Sequence, residues 1–276
     1  MTSPTLWVNG RLYDEGEDPT VSVRDHGLVV GDGVFEALKV TADGPFAIQR
    51  HLDRMNRSAA AMGLPEPDHD LVREGIKAVL DGRTFTDGLI RITYTGGLGP
   101  LGSQAAFGPT TLVVAAQEVA LPPDVTTIVT APWRRNEFGA LTGVKSTSYA
   151  ENVRGLAYAT SHDASEAIFA NTAGQLCEGT GTNIFCVFGD EVVTPPLAAG
   201  ALAGITREVL LEWVDVTERD LTIAEAKTAA EVFITSSLRD VQGISRWDDT
   251  EFSAPGEHTK RIAAVFAERS TADLEP

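Results

Sequence analysis

The sequence predicts a mixed α+β fold, and three observations support this prediction. Segments with apolar residues at helical spacing, such as 50–62, lie between segments with the composition of strands. Two-residue turns that join antiparallel strands recur along the chain, which argues against a doubly wound parallel sheet. These turns are Asn9-Gly10, Asp43-Gly44 and Gly189-Asp190. Leu121-Pro122-Pro123-Asp124 separates two such regions, because consecutive prolines continue neither a strand nor a helix.

The proline segment also indicates the domain organisation. At roughly 100–200 residues per domain, a chain of 276 residues is expected to form two domains. We therefore predict a smaller N-terminal α/β domain over residues 1–120 and a larger C-terminal domain over residues 121–276.

The N-terminal domain is predicted to combine hairpins with two helices. A strand and turn over 6–13 are followed by Val34–Val40, an apolar run typical of a buried strand. Residues 50–62 place Leu52, Met55 and Ala59 on one helical face. The other elements expected here are a helix near 68–80 and strands at 88–95 and 110–118.

The C-terminal domain is predicted to contain short strands joined by tight turns, with helices between them. Ser148-x-x-Glu151 has the spacing of a capping box, which predicts that a helix begins there and runs to about 161. Lys145 is expected at the end of a strand just before that helix. The other predicted elements are strands at Thr126–Ala131, 166–170, 175–178, 183–188 and 231–235, a helix that begins at Gly204, and a last helix over 256–268.

The composition narrows the classes of function. Lys and Arg number 22 against 39 Asp and Glu, and the net charge of −17 disfavours nucleic acid and anionic membranes as partners. No apolar run approaches the roughly 20 residues that cross a bilayer, and Met1–Thr5 lacks the features of a signal peptide. We expect a cytoplasmic protein. Cys177 and Cys186 make no metal-ligand pattern, so no metal site is expected.

Two residues suggest the chemistry of a pyridoxal 5′-phosphate (PLP) enzyme. Lys145 supplies an amine that can form a Schiff base, and Glu178 supplies a carboxylate that can keep a pyridine nitrogen protonated. Gly204-Ile205-Thr206 opens a helix, and backbone N–H groups at a helix start bind phosphate. Ser236-Ser237 ends a predicted strand and adds hydroxyl donors.

Taken in order, these motifs resemble the fold-type IV PLP-dependent enzymes, or aminotransferase class IV. That family contains D-amino-acid, branched-chain and (R)-amine transaminases and aminodeoxychorismate lyases. The resemblance covers nearly the whole chain. It is carried by Arg24-Asp25-His26-Gly27, Gly31-Asp32-Gly33-Val34-Phe35-Glu36, His51-Leu52-Asp53-Arg54-Met55, Glu178-Gly179-Thr180-Gly181-Thr182-Asn183-Ile184-Phe185 and Leu202-Ala203-Gly204-Ile205-Thr206-Arg207.

The resemblance implies a role for each motif. Lys145 would hold PLP covalently and transfer the α-proton, and Glu178 would pair with the ring nitrogen. Tyr149 would contact O3′ of the cofactor. The phosphate would be bound by Arg54, Ile205, Thr206 and Ser237. The resemblance also implies a C-terminal domain with a β-barrel-like core and a homodimer whose subunits share the active site.

The reaction within the family is predicted from substrate-side residues. Ala37 follows Phe35-Glu36 where many lyases have threonine, and Thr95-Gly96 replaces the Arg-Gly of lyases. Both differences favour a transaminase of D-amino acids or (R)-amines, which uses a 2-oxo acid as acceptor. We expect Phe35 and Arg135, the latter in a polar loop, to contact the substrate.

Three alternatives stay open at this point. The segment Arg91–Gly99 lacks the Arg-x-His pair typical of D-amino-acid aminotransferases, and Phe35 replaces the tyrosine common in aminotransferases. Aminodeoxychorismate lyase is therefore the main alternative. A branched-chain L-amino-acid aminotransferase and a PLP-binding protein without catalysis are the others.

Overall fold

The computed structural model describes residues 3–13 and 16–276. The chain forms two compact units. The first comprises the described residues up to Leu121 together with Val144–Ser148 and Glu275. The second comprises Pro122–Gly143, Tyr149–Leu274 and Pro276. The segment that contains Lys145 therefore packs with the first unit, although it follows the proline segment in sequence.

The first unit is built on a six-stranded antiparallel sheet with the strand order β2-β1-β6-β5-β3-β4. Its elements are β1 (Thr5–Val8), β2 (Arg11–Tyr13), α1 (His26–Val29), β3 (Gly33–Thr41), β4 (Gly44–Pro45), α2 (Ile48–Met62), α3 (His69–Leu80), β5 (Asp87–Thr95) and β6 (Thr111–Glu118).

Helices α2 and α3 supply one side of the core of the first unit. The residues that share the apolar face of α2 in the sequence, Leu52, Met55 and Ala59, are all fully buried. They pack in one cluster with residues of the sheet such as Trp7 and Ile92. Burial of a large apolar side chain contributes roughly 1.5–3 kcal/mol, so this face fixes the orientation of α2 and with it the position of the polar residues between these anchors.

The second unit contains a nine-stranded sheet with the order β12-β11-β10-β13-β14-β7-β8-β9, and β15 pairs with β14 beside this path. Strand β7 is parallel to both of its neighbours, β14 and β8. The elements are β7 (Val125–Arg135), α4 (Ala150–Thr160), β8 (Glu166–Asn171), β9 (Leu176–Gly179), β10 (Asn183–Phe188), β11 (Glu191–Thr194), a 3-10 turn (Leu197–Ala199), α5 (Ile205–Trp213), β12 (Thr217–Glu218), α6 (Ile223–Ala226), β13 (Glu231–Ser236), β14 (Asp240–Trp247), β15 (Thr250–Glu251) and α7 (Glu257–Ala272).

The central strands of the second unit are covered on both faces. Every residue of β8 and of β9 is buried, and the rings of Phe185 and Phe233 stack at 4.8 Å across β10 and β13. A charged residue in such strands needs a fixed partner, because burial of an unpaired charge is costly. Glu166 and Glu178 are two such residues.

The start of α4 differs from the prediction. Helix α4 begins at Ala150, and its N-cap is Tyr149 without a side-chain hydrogen bond. The predicted capping box is wrong, because the Ser148 hydroxyl donates to the carbonyl of Gly31 at 3.0 Å instead. Lys145 is not at a strand end either. It lies in an irregular segment that pairs with the beginning of β3 through the bridge between Val34 and Ser146.

The helices are short. The longest in the described part of the chain, α7, has 16 residues, and none of the described helices is long and apolar enough to cross a membrane.

Candidate active site

Lys145 is fixed through its backbone within the first unit. Its N–H donates to the hydroxyl of Ser58 on α2 at 3.2 Å, and its carbonyl accepts from the N–H of Phe35 on β3 at 3.0 Å. The Nζ atom lies 4.4 Å from the centroid of the Phe35 ring. An ammonium over an aromatic face is electrostatically favourable, so Phe35 forms one wall beside the amine.

A second cation shares the Phe35 ring. The guanidinium carbon of Arg91 lies 3.9 Å from the ring centroid. Phe35 pairs with Thr93 across β3 and β5, and Arg91 lies two residues from Thr93, so both side chains project from the same face of the sheet. Arg91 is not among the site residues predicted from the sequence. The feature of the sequence that could have identified Arg91 is its charge, which stands between the buried strand residues Ile90 and Ile92.

Three titratable side chains form a buried network on the other face of β3. The Arg54 guanidinium donates to Glu36, with Nε to Oε1 at 2.9 Å and Nη2 to Oε2 at 2.5 Å. The His51 Nδ1 atom lies 2.7 Å from Glu36 Oε2. Burial alone would raise the pKa of Glu36, but the Arg54 charge and its hydrogen bonds outweigh this and lower the pKa to about 2. Burial lowers the pKa of His51, more than the adjacent carboxylate raises it.

Arg54 is thus anchored before any ligand binds. It is 5% exposed, and Glu36 orients its planar group from one side. The sequence motifs predicted a phosphate-binding role for Arg54 but no chemical role for His51 or Glu36. A carboxylate in the middle of an apolar strand, with His51 and Arg54 three residues apart on a helix, is the signal that could have identified this network.

Glu178 lies on β9 in the second unit and has contacts at both oxygens. Its Oε2 accepts from the N–H of Leu202 at 2.8 Å. Its Oε1 lies 3.5 Å from Nη2 of Arg135. The carboxylate is therefore tied on one side to the segment that leads into α5.

The start of α5 has the features of a phosphate site. Gly204 is the N-cap residue, and no side chain caps the helix, so the first-turn N–H groups of Ile205 and Thr206 can be offered to an anion. The Asn183 amide donates to the Leu202 carbonyl at 2.9 Å, and its oxygen lies where a side chain at Gly204 would stand. Only glycine fits there.

Buried hydroxyls beside this helix start support the same assignment. The Oγ1 atoms of Thr182 and Thr235 are buried and have no hydrogen-bond partner among the residues that the structure describes. Thr182 precedes Asn183, which pairs with Thr235 across β10 and β13. A buried hydroxyl needs a hydrogen-bond partner, and a bound polar ligand or an ordered water can supply it. Ser237 lies in the turn that follows β13. The residues present therefore fit the phosphate of PLP.

Tyr149 is held by the loop that follows Glu178. Its hydroxyl donates to the carbonyl of Thr180 at 3.0 Å. The Asn152 amide donates to the same oxygen, so the single hydroxyl proton of Tyr149 can turn to another acceptor without leaving the Thr180 carbonyl unbound. Burial and the negative charge of Glu178 raise the pKa of Tyr149. The phenol therefore remains protonated at neutral pH and can act as a hydrogen-bond donor.

Arg135 does not lie in an exposed loop, as the sequence indicated. It is the last residue of β7, and its side chain is 14% exposed. The guanidinium stacks on Phe169 at 4.4 Å and donates to the amide oxygen of Asn152 at 3.1 Å.

The family follows from a comparison with known proteins. The family model for amino-transferase class IV matches residues 33–247, which is most of the chain. The chain belongs to the class IV aminotransferases. This family uses PLP, so the chain is a PLP-dependent enzyme, and the family and cofactor expected from the sequence are confirmed.

Individual relatives carry several activities in their names. A putative branched-chain-amino-acid aminotransferase from Methanocaldococcus jannaschii is 31% identical, with 96% of each chain covered. A bifunctional aminodeoxychorismate lyase / D-amino acid transaminase from Mycobacterium tuberculosis is 27% identical, with 95% of each chain covered. The crystal structure of the branched-chain aminotransferase from Escherichia coli superposes with a TM-score of 0.89 at 26% identity, covering 96% of this chain and 93% of that one. The predicted mixed, fold-type IV architecture is thereby confirmed.

Proposed function

We propose that this class IV enzyme is a transaminase that moves an amino group between a D-amino acid or (R)-amine and a 2-oxo acid. The observation that carries the proposal is the placement of the Lys145 amine 4.4 Å from the centroid of the Phe35 ring, which also packs against the guanidinium of Arg91 at 3.9 Å. A reactive amine next to an apolar wall suits both kinds of donor, and a cation on the same wall can bind the carboxylate when the donor is an amino acid.

Lys145 is the proposed attachment point for PLP and the proposed base. PLP, when bound, supplies an electron sink for the charge that develops at the substrate carbon next to nitrogen. The Lys145 amine would accept the proton from that carbon and would return it on the other side of the substrate nitrogen. The two hydrogen bonds to the backbone of Lys145 limit where its amine can move. The amine would therefore transfer the proton on one face of the substrate.

The second unit is proposed to bind the ring and phosphate. Glu178 would keep the ring nitrogen protonated, and Tyr149 would donate to O3′. The phosphate would be held by the N–H groups of Ile205 and Thr206, by the hydroxyls of Thr206 and Ser237, and by Arg54. The orphaned hydroxyls beside α5 and the absence of a capping side chain support this assignment.

Two other reactions have specific support. Similarity to the putative branched-chain-amino-acid aminotransferase from Methanocaldococcus jannaschii, at 31% identity, supports branched-chain amino acids as donors for this enzyme. The bifunctional Mycobacterium relative combines D-amino acid transamination with aminodeoxychorismate lysis. In this chain Ala37 and Thr95-Gly96 replace residues common in lyases, which favours the transaminase.

A half-reaction screen tests these proposals. The PLP enzyme is mixed separately with D-alanine, L-leucine, (R)-phenylethylamine and aminodeoxychorismate, without acceptor, and the cofactor absorbance is followed. Conversion to pyridoxamine phosphate by D-alanine or the (R)-amine supports the proposal. Conversion by L-leucine alone contradicts it in favour of the branched-chain activity. Release of pyruvate from aminodeoxychorismate with the PLP form retained identifies the lyase.

We also propose that the enzyme works as a homodimer with a shared active site. The support is the apolar surface of each unit. Phe107 in the first unit is 67% exposed and Phe138 in the second is 85% exposed. Aromatic residues are enriched at protein interfaces, so these two side chains are candidates for burial against a second copy of the chain. Sedimentation or light scattering that gives a monomer mass at assay concentration would contradict the dimer. A cytoplasmic location stays a prediction.

A further inference from the structure

Arg135 reaches Glu178 across an intervening strand. Arg135 ends β7 and pairs with Asn171 of β8, and the neighbour of Glu178, Gly179, pairs with Ile168 on the other side of β8. Phe169 lies on β8 between Asn171 and Ile168, and the guanidinium carbon of Arg135 lies 4.4 Å from the centroid of its ring. Because a planar guanidinium stacks well on an aromatic face, Phe169 acts as a platform that directs Arg135 toward the carboxylate.

The contact between the two charges is an ion pair without hydrogen-bond geometry. Nη2 of Arg135 is 3.5 Å from Oε1 of Glu178. The Nε and Nη2 atoms are buried and have no hydrogen-bond partner among the described residues. Arg135 therefore acts on Glu178 mainly through its charge. The other oxygen, Oε2, accepts from the Leu202 N–H at 2.8 Å.

We propose that Arg135 is a positioning residue that keeps Glu178 ionised and oriented toward the ring nitrogen of PLP; this rests on the proposed role of Glu178. Burial disfavours the charged form of a carboxylate, and a neighbouring positive charge opposes that effect. Arginine is suited to this task because it stays charged at every working pH. With Glu178 ionised, the proton of the pair resides on the ring nitrogen, as an electron sink requires.

Arg135 is less suited to bind the substrate carboxylate. Its Nη1 is already bound to Asn152 at 3.1 Å and lies 3.4 Å from Glu151. Its Nη2 faces Glu178. Capture of a substrate carboxylate would require the guanidinium to leave the Phe169 ring and two existing carboxylates. The positioning role needs no rearrangement.

The test compares Arg135→Gln with Arg135→Lys and with a matched control, Arg134→Gln. Arg134 is the adjacent residue, is exposed, and projects from the opposite face of β7. For Arg135→Gln we expect the acidic limb of the pH profile of kcat/KM to move toward neutral pH by about one unit or more. The dissociation constant of PLP, measured on apo-protein by fluorescence titration, should rise about tenfold.

The charge-conserving variant separates charge from packing. Arg135→Lys should restore the acidic limb, because the positive charge remains, but only part of the cofactor affinity, because the stacked plane is lost. Arg134→Gln should match the wild-type enzyme in both measurements. If Arg135→Gln does not fold, Arg135→Met gives a second neutral variant that keeps apolar contact with Phe169.

Three outcomes would overturn the inference. An unchanged acidic limb with unchanged PLP affinity in a folded neutral variant shows that Glu178 does not need the charge. A raised KM for the amino donor alone places Arg135 in the substrate site. A lysine variant no better than glutamine shows that packing, not charge, matters. Glu178→Gln is measured in parallel: normal turnover there refutes the proposed role of Glu178 itself, independently of Arg135.

Discussion

The carboxylate of Glu36 holds the guanidinium of Arg54 through two parallel hydrogen bonds, 2.9 Å from Nε and 2.5 Å from Nη2. Both residues are buried, so solvent does little to stabilise either charge. A buried ion pair contributes little compared with a well-packed apolar pair, but removal of one partner leaves a buried charge without compensation. The pair therefore holds the Arg54 cation in a fixed position in the first unit. Substitution of either residue is expected to lower the stability of the fold.

Substitution of Glu36 by glutamine should destabilise the apo-protein strongly. The variant keeps the shape of the side chain but leaves the Arg54 charge without its counterion, so we expect a loss of roughly 3–5 kcal/mol in the free energy of unfolding. Denaturant unfolding of the apo-protein at neutral pH measures this change in the free energy of unfolding. The control is Asp81→Asn, which removes the exposed ion pair between Lys77 and Asp81 at 3.9 Å and should leave the midpoint unchanged. A variant as stable as wild type would show that the network tolerates an unpaired arginine.

Acidification should destabilise the fold in two separate pH windows. The pKa of His51 is lowered from 6.5 in the folded state. Below pH 6.5 the unfolded chain therefore binds a proton more readily than the folded chain does. The stability of the fold begins to fall as the pH drops below 6.5. The pKa of Glu36 is lowered from 4.5 to about 2. Its contribution is complete above 4.5 and is lost as the pH falls toward 2.

The variant His51→Asn isolates the first window. Asparagine can donate to Glu36 but does not titrate, so the melting temperature of the variant should depend less on pH than that of wild type as the pH falls from 6.5 to 4.5. Below pH 4.5 the contribution of Glu36 should be lost in both proteins. Equal pH slopes in the upper range would mean that His51 takes up a proton in the folded protein without penalty.

The sequence was sufficient to predict most of the secondary structure because the signals involved are local. The helical spacing of Leu52, Met55 and Ala59 identified α2, which begins at Ile48 and ends at Met62. The Gly189-Asp190 turn correctly joined β10 and β11, where Phe188 pairs with Glu191. In each case the residues that determine the element lie within a few positions of one another.

The predictions that depended on distant residues were the ones that failed. Ser148 has the correct spacing for a capping box, yet Gly31, remote in sequence, accepts its hydroxyl. Arg135 lies in a polar segment that is typical of a loop. It is buried because its side chain packs on Phe169 of β8 and approaches Glu178 on β9. Glu36 and Arg54 are 18 residues apart, and only the packing of α2 on β3 brings them together. Such contacts depend on strand register and helix orientation, which no local pattern contains.

Both cysteines should be inert toward thiol reagents in the native protein. Burial raises the pKa of Cys186 to about 12. Burial and the adjacent charge of Glu178 also raise the pKa of Cys177. Since the thiolate is the reactive form, Ellman's reagent should label neither residue at neutral pH and both after unfolding. Rapid labelling of one thiol in the native state would indicate local opening of β9 or β10.

Borohydride reduction of the holoenzyme should place the pyridoxyl group on Lys145. The expectation rests on the fixed position of its amine over Phe35. Peptide mapping can distinguish it from the four other lysines, Lys39, Lys77, Lys227 and Lys260. Lys227 is the most instructive comparison, because it is partly buried and bound to Asp248 at 2.6 Å. A label there, or on any lysine other than Lys145, would contradict the assigned attachment point.

The role of Arg54 in phosphate binding requires a comparison of two variants, because Arg54 also pairs with Glu36. Arg54→Ala and Glu36→Gln both break the buried pair, so both should lower the stability of the apo-protein. Only Arg54→Ala removes the proposed phosphate ligand. We therefore expect PLP to bind more weakly to Arg54→Ala than to Glu36→Gln, by at least about tenfold, since hydrogen bonds to a charged group contribute roughly 1.5–3 kcal/mol.

The melting temperatures give a second measure of the same difference. Saturating PLP should raise the melting temperature of Glu36→Gln more than that of Arg54→Ala, because a ligand stabilises the folded state in proportion to the logarithm of its concentration over the dissociation constant. Arg54→Lys should fall between them, since lysine keeps the charge but cannot bind Glu36 and a phosphate with one planar group. If both variants bind PLP equally well, Arg54 serves only to neutralise Glu36, and the phosphate is held by the start of α5 and its neighbouring hydroxyls.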